Sequence, residues 1–442
     1  MKTAIEKTSA FIRFLFIFLS SPIVLAPQKC IIACFIASFY FGIAFYAIQK
    51  AFIDLADISF LIIFIAFFSY LLVPSIKRPK ISRAVNPVLY SLCAFVAWCF
   101  ISALINLSRH SADAGWKSIW SLLNFIQLPI GLYIFSSYSL QKFRSFILTV
   151  ILCLSFLETA VAFYQYFILS DIPASGTISW HHAMLGNMMV FAAVVSLYRL
   201  LMAKNTMLRL AFVCLFSLSL YTIILSQTRS ILGGVAIALA VFMIRFLKLS
   251  WKNMLIIGMI IFLLFAIIKA TPLQKTINRT IHSTETPVAL DMSSFGRLLI
   301  WKGSLEHFLK APLSEKLIGC GPGKFSTVPF DFFVFNTKGS SGAHNNFLHT
   351  IIETGIVGFL LFLLFFSVTL LSLHRHSKKD PLALLYFYGT ITLLGSGISQ
   401  ETFWMQYDFG NLWLFYIVFL GLVVGKPEIP EITNKNNKTL SL

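Results

Sequence analysis

The chain has 442 residues, of which 58% are hydrophobic and only 12% are charged, and its mean hydropathy is +0.83. Soluble domains usually carry about 25% charged residues, so this composition excludes a cytosolic enzyme, a disordered chain and a nucleic-acid-binding protein. The formal charge of +18 comes from 35 lysines and arginines against 17 acidic residues. In a membrane protein, such an excess is expected in the cytoplasmic loops.

Apolar runs of bilayer length predict an all-α polytopic membrane protein with about twelve transmembrane helices. The predicted spans are residues 30–49, 58–74, 86–106, 118–138, 146–169, 184–203, 208–226, 231–248, 254–270, 349–372, 382–399 and 411–425. A shorter apolar run, Phe11–Leu25, precedes them and contains Arg13. We predict an interfacial or short re-entrant helix there, on the cytoplasmic side, rather than a thirteenth span.

Lysine and arginine are unevenly distributed among the short connections between these spans. The basic connections contain Lys77, Arg78, Lys80, Arg83, Lys142, Arg144, Lys204, Arg209, Arg245, Lys248, Lys252, Arg375, Lys378 and Lys379. The positive-inside rule makes these connections cytoplasmic. Both termini are then predicted to be cytoplasmic, and the long segment 271–348 to lie outside.

This topology divides the chain into four parts. They are an N-terminal membrane region (1–270) of about nine spans plus the interfacial helix, an outer loop (271–348), three C-terminal spans (349–425) and a cytoplasmic tail (426–442). A loop of about 78 residues exceeds an ordinary connection. It contains an amphipathic stretch, Phe295–Leu309, a glycine-rich turn and an aromatic run. These features predict a small helical cap that packs on the membrane region.

Two arginines are candidates for binding an anionic group. Arg229 lies in Ser226–Ser230, between two predicted spans at the outer surface, and Arg297 lies near the start of the predicted loop helix. A guanidinium group can bind two phosphate oxygens at once, and a helix N-terminus favours an anion. We expect Ser293 or Ser294 to be the N-cap of the loop helix. Snorkelling of Arg229 to lipid headgroups and simple solvation of Arg297 are the alternatives.

Histidines supply the candidate proton acceptor. His344 precedes the span that follows the loop, and Asn345 or Asn346 is the predicted N-cap of that span. Imidazole is the usual general base near neutral pH, although a structural role stays open. His349 and Glu353 have the i,i+4 spacing that places two side chains on one helix face. In another outer loop, Trp180, His181 and His182 are candidates for lining a sugar site, as is the segment 401–408.

The sequence predicts neither a metal site nor a cofactor. The outer loops contain no D-x-D pattern, and the nearest paired-acid motif is Asp54 and Asp57. Residues 319–323 lack the Lys-Ser/Thr of a phosphate-binding loop, so we predict a tight turn there. Glu158 falls within a span, where it either pairs with a neighbouring helix or faces a cavity.

Four motifs, in this order and spacing, resemble those of the O-antigen ligase and polymerase superfamily. They are S-Q-T-R-S at Ser226–Ser230, F-G-R-x3-W at Phe295–Trp301, G-x-G-x-G-x-F at Gly319–Phe325 and A-H-N-N-F-L-H-T at Ala343–Thr350. Arg229, Arg297 and His344 match the positions of the family's two functional arginines and its loop histidine. The length of the chain is more similar to the ligase branch.

The resemblance implies a multi-pass glycosyltransferase of the GT-C type in the bacterial inner membrane, with its active site facing the periplasm. It would transfer a glycan from undecaprenyl diphosphate to the lipid A-core oligosaccharide. Arg229 and Arg297 would stabilise the diphosphate without metal, and His344 would be the catalytic base. From their positions in the sequence, and not from the resemblance, we expect His349 and His182 to help to bind substrate.

Two other functions are considered. An O-antigen polymerase would share the fold and the arginines. A polysaccharide transporter or flippase belongs to a different class and would be expected to show ionisable residues at mid-membrane in paired halves.

Overall fold

The computed structural model describes residues 81–107, 112–137, 141–169, 174, 182–246, 292–327, 342–400, 402–403 and 410–425. These residues are largely helical, and their one β-type contact is an isolated bridge between Ile81 and Ser137. Several sequence predictions lie outside the described residues. They are the spans at 30–49, 58–74 and 254–270, the run 11–25, the Asp54–Asp57 pair and the tail 426–442.

The other predicted spans each coincide with a helix, because long apolar runs can satisfy their backbone in a bilayer only as helices. The helices are α1 (Asn86–Asn106), α2 (Ala112–Phe135), α3 (Arg144–Phe167), α4 (His182–Met202), α5 (Thr206–Leu225), α6 (Arg229–Phe246), α7 (Met292–Lys310), α8 (Leu313–Ile318), α9 (Asn346–His376), α10 (Pro381–Ser396) and α11 (Gly410–Val424). Within the described part, α1, α3, α4, α5 and α9 are long and apolar enough to cross a membrane, and α2, α6, α10 and α11 contain shorter apolar segments. The chain is an all-α membrane protein.

Close packing holds these helices in a bundle. α4 packs on α5, α6 on α10, α9 on α1 and α11 on α2. A Cβ atom on Gly234 of α6 would lie 2.0 Å from the carbonyl oxygen of Thr392 in α10, so only glycine allows these backbones to approach so closely. Trp413 of α11 meets Phe125 edge-to-face at 5.7 Å and Phe95 at 5.8 Å between ring centroids. These rings form part of the rigid centre of the bundle.

Several basic connections lie at one end of the bundle. Arg144 at the start of α3 pairs with Asp380, which caps α10, at 2.5 Å. The connection between α4 and α5, to which Arg209 in the first turn of α5 is bonded, and that between α9 and α10, with Lys379, lie at the same end because the helices alternate in direction. We call this the basic end and the opposite one the site end. The structure thus places at one end of the bundle the connections that the positive-inside rule assigns to a single compartment. That this compartment is the cytoplasm stays a prediction.

The end of α8 and the glycine turn after it pack against a kink in α9. Gly355, inside α9, has φ +69° and ψ −175°. The turn that follows α8 docks there: the N–H of Cys320 donates to the carbonyl oxygen of Ile352 (3.0 Å), and that of Gly321 to Glu353 (2.9 Å). A Cβ on Gly355 would lie 2.3 Å from the carbonyl carbon of Leu317. Glycine is therefore required for both the backbone angle and the close approach.

The amphipathic loop stretch forms α7, with one difference from the prediction. The helix begins at Met292, so Ser293 and Ser294 lie in its first turn, and the prediction that either is the N-cap is wrong. Ile300 and Phe308 of α7 pack on a small apolar cluster of Cys320, Phe325, Ala343 and Ile352. This cluster joins α7, the glycine turn and the start of α9.

Candidate active site

A hydrogen-bonded turn between α5 and α6 carries Arg229. The hydroxyl of Ser226 donates to Thr228 Oγ1 (3.0 Å), and the hydroxyl of Thr228 donates to the backbone carbonyl of His182 at the start of α4 (3.2 Å). Gln227 lies between them with φ +50°. Arg229 is the first residue of α6 and is half-buried. The turn fixes the arginine backbone at the site end, at a helix N-terminus.

The end of α10 joins this turn to the start of α9. On one side, the hydroxyl of Ser230 donates to Gln400 Oε1 (2.6 Å). On the other side, the backbone N–H of Asn346 donates to the carbonyl oxygen of Gly397 (2.8 Å). The segments that carry the predicted arginine and the predicted histidine therefore lie on two sides of one helix end.

His344 has an unusual backbone conformation immediately before α9. Its φ is +48°, and it is half-buried. The next residue, Asn345, is the N-cap, since its side chain accepts from the N–H groups of Phe347 (2.9 Å) and Leu348 (3.0 Å), as predicted. Among the described residues, His344 and Gln227 are the two non-glycine residues with positive φ. Strained backbone of this kind is found preferentially at functional sites. Here one strained residue is the candidate base, His344, and the other, Gln227, lies two residues before Arg229.

A buried histidine–glutamate pair lies behind His344. His349 and Glu353 share a face of α9, as predicted, with 3.2 Å between Nε2 and Oε1, and both side chains are inaccessible. The N–H of Ala343 donates to His349 Nδ1 (3.5 Å), so we assign the ring proton to Nε2, which faces Glu353. Phe325 covers the ring at 4.7 Å between centroids. Because the ring is enclosed, the structure favours a positioning role for His349 over direct contact with substrate.

The Glu353 carboxylate also holds the glycine turn. The N–H of Gly323 donates to Oε2 (2.8 Å) and that of Phe325 to Oε1 (2.7 Å). Gly319, Gly321 and Gly323 all have positive φ, which confirms the predicted tight turn. One carboxylate thus ties the turn to α9 at the level of the kink.

The helix that carries Arg297 is bonded directly to the residue before His344. The indole N–H of Trp301 donates to the carbonyl oxygen of Ala343 (2.9 Å). Arg297 lies one helical turn earlier in α7 and is half-buried. Ala343 is therefore held from two sides, by Trp301 through its carbonyl and by His349 through its N–H.

Two further titratable groups, one in the glycine turn and one directly after it, are buried. Lys324 is fully buried and its Nζ contacts the carbonyl oxygen of Asn106 (3.4 Å), near the C-terminus of α1, where a helix dipole favours a cation. Burial lowers the pKa of Lys324. Burial, reinforced by the charge of Glu353, raises the pKa of the Cys320 thiol well above its usual range. A buried neutral thiol is not a nucleophile.

The structure thus connects the segments of Arg229, Arg297, His344 and His349 through hydrogen bonds at the site end. His182 joins them through its carbonyl oxygen and is itself half-buried.

Glu158 is buried inside the bundle. Trp180, His181 and residues 401 and 404–408 lie outside the described residues. The described residues contain no group of three or more histidine, cysteine or acidic side chains that could hold a metal ion.

Sequence reasoning missed the carboxylate clamp at Glu353, the buried Lys324 and the kink at Gly355. One signal was present for the first of them: Glu353 is the only acidic residue between Asn345 and Leu373, in an otherwise strongly apolar helix. A lone acid in such a context requires buried donors.

Comparison with known proteins adds one finding. Residues 214–363, about a third of the chain, match the family model described as O-Antigen ligase. The match contains Arg229, Arg297, His344 and His349, whereas His182 precedes it. No curated protein sequence matches the chain significantly.

Proposed function

Because residues 214–363 match the O-antigen ligase family model, we propose that the chain is an O-antigen ligase of the GT-C type. Members of this family are membrane enzymes that act on lipid-linked glycans. The proposed reaction transfers a glycan from undecaprenyl diphosphate to the lipid A-core oligosaccharide at the periplasmic face of the bacterial inner membrane. The proposal rests on one observation. Hydrogen bonds connect the segments that carry Arg229, Arg297 and His344 at one end of an apolar bundle.

The two arginines are proposed to bind the donor diphosphate. Both are half-buried, and Arg229 stands at the N-terminus of α6, where backbone N–H groups add positive potential. Charge develops on the diphosphate as the anomeric C–O bond breaks, and fixed guanidinium groups stabilise it without reorganisation. This arrangement needs no metal ion.

His344 is proposed to be the catalytic base. It accepts the proton of the acceptor hydroxyl as that oxygen bonds to the anomeric carbon, while undecaprenyl diphosphate leaves with the electron pair of the broken bond. An in-line attack of this kind inverts the configuration at the anomeric carbon. The left-handed backbone of His344 supports the assignment, because such a conformation persists only where the surrounding contacts impose it.

His349 and Glu353 are proposed to be positioning residues. Glu353 orients the His349 ring, which accepts from the N–H of Ala343 and so holds the peptide before His344. Trp301 holds the carbonyl of Ala343, so the base is oriented from both α7 and α9. His182 is proposed to line the acceptor side, next to the Arg229 turn.

The proposed architecture has about twelve spans, with 271–348 as a periplasmic cap and both termini in the cytoplasm. Support for the cap comes from α7 and α8, which pack against α9 at the site end, opposite the basic end. A lipid-linked donor can reach a site at this level laterally from the bilayer.

The lipopolysaccharide pattern of a deletion strain tests the function. A ligase predicts loss of the O-antigen ladder while polymer accumulates on the lipid carrier, and a plasmid copy should restore the ladder. Core carrying a single repeat would instead indicate a polymerase. Absence of lipid-linked polymer from the periplasmic leaflet would indicate a transporter or flippase.

A further inference from the structure

A row of exposed leucines runs along α7 and α8. On α7, Leu298, Leu305 and Leu309 are spaced by seven and four residues and share one helix face, with 51–61% of each side chain exposed. On α8, Leu313 is 72% and Leu317 40% exposed. We call these five residues the leucine edge. A contiguous exposed apolar surface marks a contact with a partner or a membrane.

The kink in α9 locates this edge relative to the bilayer. From the kink at Gly355 to the basic last turn of α9, the apolar residues 356–373 span about 27 Å at 1.5 Å per residue, close to the thickness of a hydrocarbon core. The kink therefore lies near one surface of that core. Leu317 of α8 touches Gly355 through its backbone. Consequently α8 lies at the level where the hydrocarbon meets the headgroups.

The leucine edge also continues a surface that faces lipid. The hydroxyl of Ser102, near the end of α1, donates to the carbonyl oxygen of Ile318 at 2.7 Å, so α8 ends against α1. In the same part of α1, Ile101, Leu104 and Ile105 are exposed, as expected for a membrane-spanning helix. The apolar surface of the bundle thus extends onto the loop helices.

Basic side chains accompany the leucines. Lys302 and Lys310 on α7 are exposed, and Lys316 lies on α8. Lys302 is on the same face as Leu298 and Leu305, and a long lysine side chain can extend its ammonium group to phosphate headgroups while its stem lies on apolar surface. Leucine with flanking lysine is the composition of helices that lie in a membrane interface.

We propose that α7 and α8 lie on the bilayer, with the leucine edge inserted into the acyl–headgroup boundary of the leaflet at the site end. The occupant of the exposed surface is lipid, and the lysines contact anionic headgroups. The loop elements that hold Ala343 and His344 are thereby fixed at the membrane surface. This inference rests on the membrane fold and does not depend on the reaction.

Spin-label accessibility tests the proposal on the full chain. In an active variant lacking the seven native cysteines, single cysteines replace Leu305 and Leu313. Glu306, which is exposed, adjacent to Leu305 and about 100° further around α7, is the matched control, and the exposed Leu364 of α9 is the lipid reference. Each labelled protein is placed, one copy per disc, in nanodiscs of phosphatidylethanolamine and phosphatidylglycerol.

The labels at Leu305 and Leu313 should behave like that at Leu364, with high accessibility to oxygen and several-fold lower accessibility to a water-soluble nickel chelate than at Glu306. Nickel accessibility at either leucine equal to that at Glu306 would overturn the proposal. That result would also be obtained if the edge were a surface for a second copy or a soluble protein. A Leu305→Glu/Leu313→Glu variant gives a second measurement: its label at Lys310→Cys should move towards water, and an unchanged position would contradict lipid contact.

Discussion

His349 Nε2 lies 3.2 Å from Glu353 Oε1, one turn further along α9, and both side chains are buried. The pair connects two backbone segments that are distant in sequence. Through His349 it reaches the N–H of Ala343, and through Glu353 it reaches the N–H groups of Gly323 and Phe325. The pair therefore links the glycine turn of the loop to the peptide that precedes His344.

Replacing Glu353 with glutamine should destabilise the protein. A carboxylate accepts at both oxygens, whereas the amide nitrogen of glutamine would face one of the backbone N–H groups. Leaving a buried donor unsatisfied costs about 1–3 kcal/mol. Thermal unfolding in detergent should show a lower midpoint for Glu353→Gln. Glu306→Gln, on the exposed face of α7, is the control and should change the midpoint little; equal midpoints for the two variants would refute the clamp.

Alanine at either glycine of the kink contact should disrupt folding. At Gly319, a Cβ would lie 2.3 Å from the carbonyl oxygen of Glu353, and both Gly319 and Gly355 have positive φ. Backbone strain and overpacking together should cost on the order of 3 kcal/mol or more. Gly296→Ala in α7, where no atom lies within 4 Å of the added Cβ, is the matched control and should fold normally. Normal yield and unfolding temperature for Gly355→Ala would contradict the docking.

The two arginines should respond to substitution according to the geometry of diphosphate binding. Lysine keeps the charge but loses the planar pair of donors. We expect partial transfer activity for Arg229→Lys and Arg297→Lys and very little for the alanine variants, with weaker donor binding in each. Arg199→Ala is the control, because Arg199 bonds to Ser145 and Thr149 at the basic end. Full activity of the alanine variants at normal expression would exclude the diphosphate role.

Chelation should leave the reaction intact. The proposed charge stabilisers are guanidinium groups, so transfer by purified protein should continue in EDTA at its original rate. If activity disappears and magnesium or manganese restores it, the metal-free mechanism is wrong. The Asp54 and Asp57 pair would then be the first residues to test.

The sequence predicted the helices well and their contacts poorly. Hydropathy located α1 and α9 because a span must be apolar throughout, and Asn345 was a predicted N-cap because its side chain is adjacent to free N–H groups. Hydropathy does not reveal which glycine breaks a helix, so the kink at Gly355 was missed. The clamp at Glu353 joins residues about 30 positions apart. Such a contact depends on how the loop folds back, which no local pattern determines.

The faces of α7 show the same limit. Trp301, Leu305 and Phe308 are apolar residues of the predicted amphipathic stretch Phe295–Leu309, but they do not share one environment. Trp301 and Phe308 turn towards the start of α9 and the small cluster, whereas Leu305 is exposed. An apolar stripe in a loop beside a membrane has two apolar environments available to it, protein and lipid. Periodicity alone does not distinguish them.

The transfer rate of His344 variants, measured together with donor binding in reconstituted membranes, tests the central claim most directly. His344→Asn is the sharpest variant, because asparagine tolerates positive φ but takes up no proton. If His344 is the base, His344→Asn and His344→Gln should both lose about 10²–10⁴-fold in rate while binding the lipid-linked donor almost normally. His349→Ala, which removes only a positioning contact, should lose less. Near-normal transfer by His344→Asn, or a greater loss for His349→Ala, would contradict the assignment.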